Sequence, residues 1–323
     1  MALLDVHNLE VEFKTPSGTV KAVNNINFSL NRGQCLGIVG ESGSGKSQTF
    51  LGILGLLATN GKASGSAIFD GMELIGASRN QLNAIRGQGI ALIFQDSITG
   101  LTPHIRIGAQ LSEMLMVHKG MPKQQANEEV LKTLEIVQIS DPESRMRSYP
   151  HELSGGMRQR IMIAMSLLCK PALIVADEPT TALDVTVQAS VLRALRKLKR
   201  HTDTALVMIT HDLGVVAGIA DDIAVMYAGR IIEYGPTRAI FANPQHPYTQ
   251  GLIACIPNPM EDANDDEELQ TISGRPPDLT DLPPGCAFAP RCAYAETACK
   301  EQRPPLDIGQ NGVHVACLRA GKI

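Results

Sequence analysis

One stretch constrains this chain more than any other: Gly40-Glu41-Ser42-Gly43-Ser44-Gly45-Lys46-Ser47, which reads G-x-x-x-x-G-K-S. The run before it, Cys35 to Val39, is short and apolar, as a buried strand is. The run after it, Gln48 to Leu57, places Phe50, Leu51, Ile53, Leu54, Leu56 and Leu57 at helical spacing. Strand, glycine loop and helix in that order predict a phosphate site. Gly43 and Gly45 let successive backbone N–H groups curl around an anion, and the helix N-terminus adds its partial positive charge. Lys46 then reaches the β- and γ-phosphates, and the Ser47 hydroxyl ligates Mg²⁺. A plain glycine-rich turn is the competing reading, and the flanking strand and helix disfavour it.

Further along, three apolar strand candidates end in polar residues. Ala91 to Phe94 is followed by Gln95, Leu173 to Ala176 by Asp177 and Glu178, and Ala205 to Thr210 by His211. Ligands of open α/β sheets bind beyond the carboxyl ends of strands. Asp177 suits a carboxylate that holds Mg²⁺ through its water shell, and Glu178 is placed to polarise an attacking water. Adjacent carboxylates on a strand face opposite ways, so the two need separate partners. A lone histidine at a strand end is more often structural; beside the other strand ends, His211 reads as part of a site. Ser154 is an expected N-cap, with Ile161, Ala164, Met165 and Leu168 on the apolar stripe behind it. Gly155 and Gly156 leave N–H groups exposed there for a second phosphate. Standing alone, the stretch reads better as a capped helix without a ligand.

Ahead of the loop, residues 3–36 alternate apolar runs with turns and predict an antiparallel β region. Phe13 within it suits either adenine stacking or the core, with the core slightly favoured. Residues 109–138 have helical periodicity, and Ile223 to Tyr234 reads as a hairpin around Ala228-Gly229.

A net charge of −4 over 323 residues gives no sign of a general nucleic-acid binder. The N-terminus lacks the basic and apolar regions of a secretory signal, and no apolar run is long enough to span a bilayer. The chain is therefore expected to be cytoplasmic, reaching a membrane only through a protein partner. Beyond about residue 240 the composition shifts to prolines, an acidic run from Glu261 to Glu268 that reads as a solvated linker, and then cysteines. Cys286, Cys292, Cys299 and Cys317 follow C-x₅-C-x₆-C-x₁₇-C in a segment poor in periodic apolar residues, which needs a cross-link to fold. A reducing cytoplasm disfavours disulfides. Four thiolates also suit zinc, without its usual short spacings, or a [4Fe–4S] cluster, off the common ferredoxin pattern. Simple reduced thiols are the remaining reading.

The order P-loop, Gln95, Leu153-Ser154-Gly155-Gly156-Met157, Asp177-Glu178, His211 resembles the ATP-binding subunits of ABC transporters over roughly residues 3–240. The resemblance implies an α/β P-loop ABC ATPase domain, residues 1–240, with an N-terminal antiparallel β region and a helical subdomain at about 97–168. It implies that ATP and Mg²⁺ are bound. Gln95 becomes the residue that senses the γ-phosphate and Mg²⁺ and faces the membrane partner. Ser154, Gly155 and Gly156 become the signature that binds the γ-phosphate held on the opposite subunit. Asp184, in Ala182-Leu183-Asp184, matches the D-loop, His211 the switch histidine, and Phe13 the aromatic that stacks on adenine.

Phe94-Gln95-Asp96, Asp177 to Asp184, Thr210 to Leu213, His246-Pro247-Tyr248-Thr249 and Gly285 to Cys292 resemble more narrowly the peptide-importer group, which includes oligopeptide, dipeptide and nickel-type importers. Residues 241–323 then correspond to that group's C-terminal extension, whose four-cysteine tail is associated with an iron–sulfur cluster in some members. This turns the expectation for the tail towards iron, with zinc as the alternative and a structural role in either case. One departure stands out: Ser97-Ile98-Thr99-Gly100-Leu101-Thr102-Pro103 replaces the group's usual Pro-x-x-Ser-Leu-Asn-Pro. That stretch faces the membrane subunit in the family, so it bears on solute and partner.

The resemblance implies two such ATPases sandwiching two ATPs, the second being a copy or a paralogue. Two transmembrane permeases and, indirectly, a solute-binding protein complete the assembly at the cytoplasmic face of the inner membrane. A soluble ABC ATPase of DNA-repair type is the alternative. It places a long coiled coil between P-loop and signature, and the 108 positions from Lys46 to Ser154 are too few for that beside a helical subdomain. Translation-factor types carry two motif sets in one chain, and exporters usually fuse membrane spans; here there is one set and no span.

Overall fold

The computed structural model describes residues 2–94, 100–180, 185–201, 203–256 and 271–322. Gln95 and Asp184, both expected at the nucleotide, lie outside the described residues, as do the acidic run 261–268 and residues 97–99 of the stretch where the importer pattern departs.

The chain opens with β1 (Leu4–Thr15) and β2 (Gly18–Leu30), then β3 (Cys35–Val39) and α1 (Lys46–Ile53). β4 (Gly61–Phe69), β5 (Met72–Glu73), α2 (Arg79–Ile85) and β6 (Ile90–Ile93) follow. Four helices come next: α3 (Ile107–Lys119), α4 (Lys123–Ile136), α5 (Pro142–Arg147) and α6 (Gly155–Leu168). β7 (Leu173–Asp177), α7 (Val185–His201), β8 (Ala205–Thr210) and α8 (Leu213–Ala217) lead to β9 (Asp222–Tyr227) and β10 (Arg230–Pro236). The last elements are α9 (Thr237–Ala242), α10 (Pro247–Ala254), α11 (Thr297–Glu301), β11 (Asp307–Ile308) and β12 (His314–Val315).

These elements fall into two compact units. One comprises Ala77–Ile209 with Met1–Leu3 and Leu30–Cys35; the other comprises Leu4–Ser29, Leu36–Gly76 and Thr210–Ile323. In the first, β6, β7 and β8 run parallel, and every residue of β8 and four of the five in β7 are buried. Strands covered on both faces need continuous apolar sequence, which is why these runs do not alternate.

The second unit holds the expected antiparallel β region, in strand order β2-β1-β4-β5. In β1 the buried residues are Leu4 and Val6, then Leu9 and Val11, a change of phase. A bulge resolves it: the register with β4 shifts between His7 and Glu10, where Asn8 takes φ 48°. The same unit carries β3 parallel to β9, and β9 antiparallel to β10. Ala228 (φ 48°) and Gly229 (φ 79°) make the turn of that hairpin, both with the positive φ that matches strand twist. At the far edge β12 pairs with β10, Glu233 opposite Val315 and Tyr234 opposite His314, and β11 pairs with β12. The C-terminal extension therefore lengthens the sheet that carries the strand before the P-loop.

Two expected helices are shorter than their apolar patterns. α1 ends at Ile53 because Gly55 turns left-handed (φ 61°). The N–H groups of Gly55 and Leu56 then return to the carbonyls of Gly52 and Leu51 at 3.1 and 2.8 Å, the Schellman closure. The periodic run 109–138 becomes α3 and α4, because Gly120 caps α3 at φ 62° and Pro122 leads into α4.

Candidate functional site

The P-loop is strand, loop and helix as its sequence requires. Gly45 is the N-cap of α1 at φ 99°, and a Cβ there would stand 2.2 Å from the carbonyl oxygen of Ala22. Gly40 is similarly confined, 2.2 Å from the Met226 oxygen. Each glycine is thus required by close backbone approach as well as by conformation. Lys46 is buried, and its Nζ donates to the carbonyls of Gly40 at 2.7 Å and Glu41 at 2.9 Å. Ser42 and Gly43 form the exposed crest, Ser44 is buried, and Ser47 is half-buried on the first turn of α1.

Glu41 sits in this loop with a negative charge, and the C-terminal extension holds it. Arg291 donates from one terminal nitrogen to Oε2 at 2.8 Å and from the other to Oε1 at 3.0 Å. Its side chain is only 6% exposed, and the bond to Glu41 holds the guanidinium well above its ordinary pKa. The backbone N–H of Glu41 donates to the Tyr248 hydroxyl at 2.9 Å. Tyr248 is fully buried, and burial pushes its hydroxyl well above the usual tyrosine range. Sequence reading assigned neither Tyr248 nor Arg291 a role. The available signal was Glu41 itself: an acidic side chain in an anion-binding loop requires a cation nearby. The sequence offers 29 lysines and arginines and does not say which one.

Phe13 pairs with Gly61 across β1 and β4 and is half-buried, with its ring over that glycine. It is not among the buried core residues, against the core reading slightly favoured from sequence. His211 follows β8 and is exposed, and the next residue, Asp212, caps α8 by accepting the Gly214 N–H at 2.7 Å.

In the other unit, β7 delivers Asp177 at its last position. Glu178 does not continue the strand: it turns to φ 46°, with its N–H donating to the Ile209 carbonyl at 2.8 Å. The alternation expected to point the two carboxylates apart therefore stops at Asp177. Ser154 caps α6, accepting the Met157 N–H at 3.3 Å, with Gly155 and Gly156 as the first helical residues. Arg158 steadies the approach by donating to the Leu153 carbonyl at 2.7 Å.

The four tail cysteines line one cavity of about 20 Å³. The Cys286 N–H also donates to the Cys299 carbonyl at 2.8 Å. Burial raises the thiols of Cys286, Cys292 and Cys317, favouring S–H over thiolate. Among the described residues no three His, Cys, Asp or Glu side chains form a metal-holding group. The fit to a metal is thus partial: the thiols share a cavity, but among the described residues they do not form a metal-holding group.

The ABC transporter family model matches residues 23–181, and the model of the oligopeptide/dipeptide transporter C-terminal region matches residues 232–299. The oligopeptide transport ATP-binding protein OppD of Haemophilus influenzae is 57% identical over 298 residues, covering 92% of this chain and 91% of that protein. This chain belongs to the ATP-binding subunits of the oligopeptide/dipeptide ABC transporters. OppD of Salmonella typhimurium is 53% identical, covering 98% of this chain and 93% of its own length. The dipeptide transport ATP-binding protein DppD of Bacillus subtilis is 47% identical, covering 98% and 94%. The fold is that of solved cassettes. A dimeric ATP-binding cassette in a post-hydrolysis state with ADP and Pi matches with a TM-score of 0.66 at 26% identity, covering 73% of this chain and 99% of that one. This ATP-binding subunit is therefore an ATPase, and its family uses ATP with Mg²⁺. No helix among its described residues is long and apolar enough to cross a membrane.

Proposed function

We propose that this chain is the ATP-hydrolysing subunit of a peptide importer, coupling ATP turnover to uptake through membrane permeases. The carrying observation is a complete P-loop, with Lys46 held by the Gly40 and Glu41 carbonyls, in a chain whose similarity to oligopeptide transport proteins runs nearly its whole length. In this reading residues 40–47 hold the phosphates, Ser47, Asp177 and Gln95 serve Mg²⁺, and Phe13 stacks on adenine. Glu178 orients the attacking water, and His211 and Gln95 sense the γ-phosphate. Ser154, Gly155 and Gly156 act on ATP held by a second ATPase subunit, with Asp184 at the same junction. Residues 1–240 form the ATPase domain, 97–168 its helical subdomain and 241–323 the extension. The subunit works peripherally, at the cytoplasmic face of the inner membrane. Its partners are a copy or paralogue of itself, two permeases and, through them, a solute-binding protein.

The four tail cysteines in this reading hold a metal, a [4Fe–4S] cluster with zinc as the alternative, and the metal's role is structural. Their convergence on one cavity supports a shared ligand.

The test is ATP hydrolysis by the purified assembly in proteoliposomes. Peptide-loaded binding protein is expected to stimulate turnover several-fold; turnover indifferent to peptide, with permeases and binding protein present, rejects peptide import.

A further inference from the structure

We propose that Arg291 and Tyr248 are positioning residues for nucleotide binding, through which the C-terminal extension sets the affinity of the P-loop for ATP. The proposal rests on residues 40–47 being the phosphate loop. Arg291 lies beside Cys292, far from the P-loop in sequence, yet its five N–H donors all have acceptors. Nε donates to the Ser273 carbonyl at 2.9 Å. One terminal nitrogen donates to Glu41 and to the Tyr227 hydroxyl at 3.3 Å, the other to Glu41 and to the Ile272 carbonyl at 3.2 Å. Five donors in a planar fork, all taken, fix both the side chain and what it holds. The guanidinium also lies 5.9 Å from the Tyr227 ring centroid and 5.8 Å from that of Phe288. Tyr248 packs on both rings, at 4.7 and 5.4 Å. These aromatics are buried, so the frame behind Glu41 is close-packed.

Glu41 is thus held at two points by the extension, its carboxylate by Arg291 and its N–H by Tyr248. The Glu41 carbonyl and that of Gly40 are the acceptors of the Lys46 ammonium. A shift of Glu41 therefore moves the oxygens that place the phosphate-binding lysine. Arg291 acts a second way. A carboxylate in a loop that receives phosphate repels it, and the two-pronged pair neutralises that charge where it is only partly exposed. Lysine keeps the charge but not the fork.

The test is equilibrium binding of a fluorescent Mg·ATP analogue to the full chain, alongside ATPase kinetics of the assembly. Arg291→Ala is expected to raise Kd about tenfold, and adding Glu41→Gln to recover part of that loss, because the unpaired carboxylate is then gone. Tyr248→Phe removes one hydroxyl, leaves every charge in place, and is expected to raise Kd roughly threefold. In the assembly KM for ATP rises while kcat stays within about twofold. If Arg291→Ala does not fold, Tyr248→Phe decides alone. Wild-type Kd in the folded variants, with only the melting temperature lowered, would make these residues purely structural and overturn the proposal. Lys46→Ala is the control: if it binds Mg·ATP normally, the phosphate-loop reading itself is wrong.

Discussion

The backbone N–H of Glu178 donates to the carbonyl oxygen of Ile209 at 2.8 Å, while Glu178 itself stands at φ 46°. A non-glycine residue in that region stores on the order of 1–3 kcal/mol, and such residues gather at functional sites. Ile209 lies two residues before His211, so the backbone bond ties the end of β7 to the segment that leads to the expected switch histidine. Glu178→Gln keeps the backbone demand and the side-chain size and removes only the charge. It is expected to leave Mg·ATP binding within about twofold and to slow hydrolysis at least 100-fold, within the range assigned to general-base loss. Single-turnover hydrolysis beside equilibrium binding separates the two effects. Hydrolysis at the wild-type rate would remove Glu178 from the reaction.

Gly45→Ala places a Cβ against the Ala22 carbonyl at a φ of 99°. It is expected to lower unfolding free energy by about 2 kcal/mol and to abolish measurable nucleotide binding. Denaturant titration and Mg·ATP binding on the same preparation check both, and normal binding would contradict the close approach at this position.

Because Ser154 is read as acting on nucleotide held by another subunit, the isolated chain is expected to hydrolyse ATP slowly. Turnover should rise steeply with protein concentration or on assembly with permeases. A species shown to be monomeric during turnover, matching the assembly's rate, would reject the paired arrangement.

His246 is 1% exposed, and burial lowers its pKa to about 3 from an ordinary 6.5. Its Nδ1 accepts the Tyr248 N–H at 3.0 Å, which only the neutral ring can do. Between pH 3 and 6.5 the unfolded chain binds the extra proton, so this residue's contribution to stability is complete above 6.5 and declines as pH falls below it. At pH 5 the decline amounts to about 2 kcal/mol. The carboxylate of buried Glu233 accepts the backbone N–H of His246 at 3.0 Å, and burial raises its pKa, which gives the opposite slope above 4.5. His246→Asn keeps an acceptor and cannot titrate. Its stability loss from pH 7.5 to pH 5.0 is therefore expected to be about 2 kcal/mol smaller than that of the wild type. Equal losses would show that His246 does not carry the acid response.

The metal proposed for the tail is checked by anaerobic purification with iron, sulfide and zinc analysis. Four iron and four sulfide per chain, or one zinc, is the expected result. Removing the metal should release four reactive thiols. Colourless protein without either metal, but with its tail folded, would leave Cys286, Cys292, Cys299 and Cys317 as ordinary thiols.

Much of this architecture was legible because local rules and tertiary demand agree. β8 is Ala205–Thr210, an apolar run with no polar interruption, and Ser154 caps α6 where a serine precedes an apolar stripe. Helix ends were less legible, since Gly55 and Gly120 stop helices whose apolar spacing continues past them. The orientation of Glu178 could not be read at all, because a left-handed residue at a strand end leaves no compositional trace. Least accessible was the pairing of Arg291 with Glu41 across 250 residues. Side-chain chemistry says that such a carboxylate needs a cation, and only the fold says which.

The most direct test of import is uptake of a labelled peptide by cells that lack this chain and are supplied with either the wild type or Glu178→Gln. The account predicts ATP-dependent accumulation with the wild type and none above background with Glu178→Gln, although the variant assembles and binds ATP. Peptide accumulation at the wild-type rate with Glu178→Gln, or no accumulation of any peptide with the intact assembly, would contradict it.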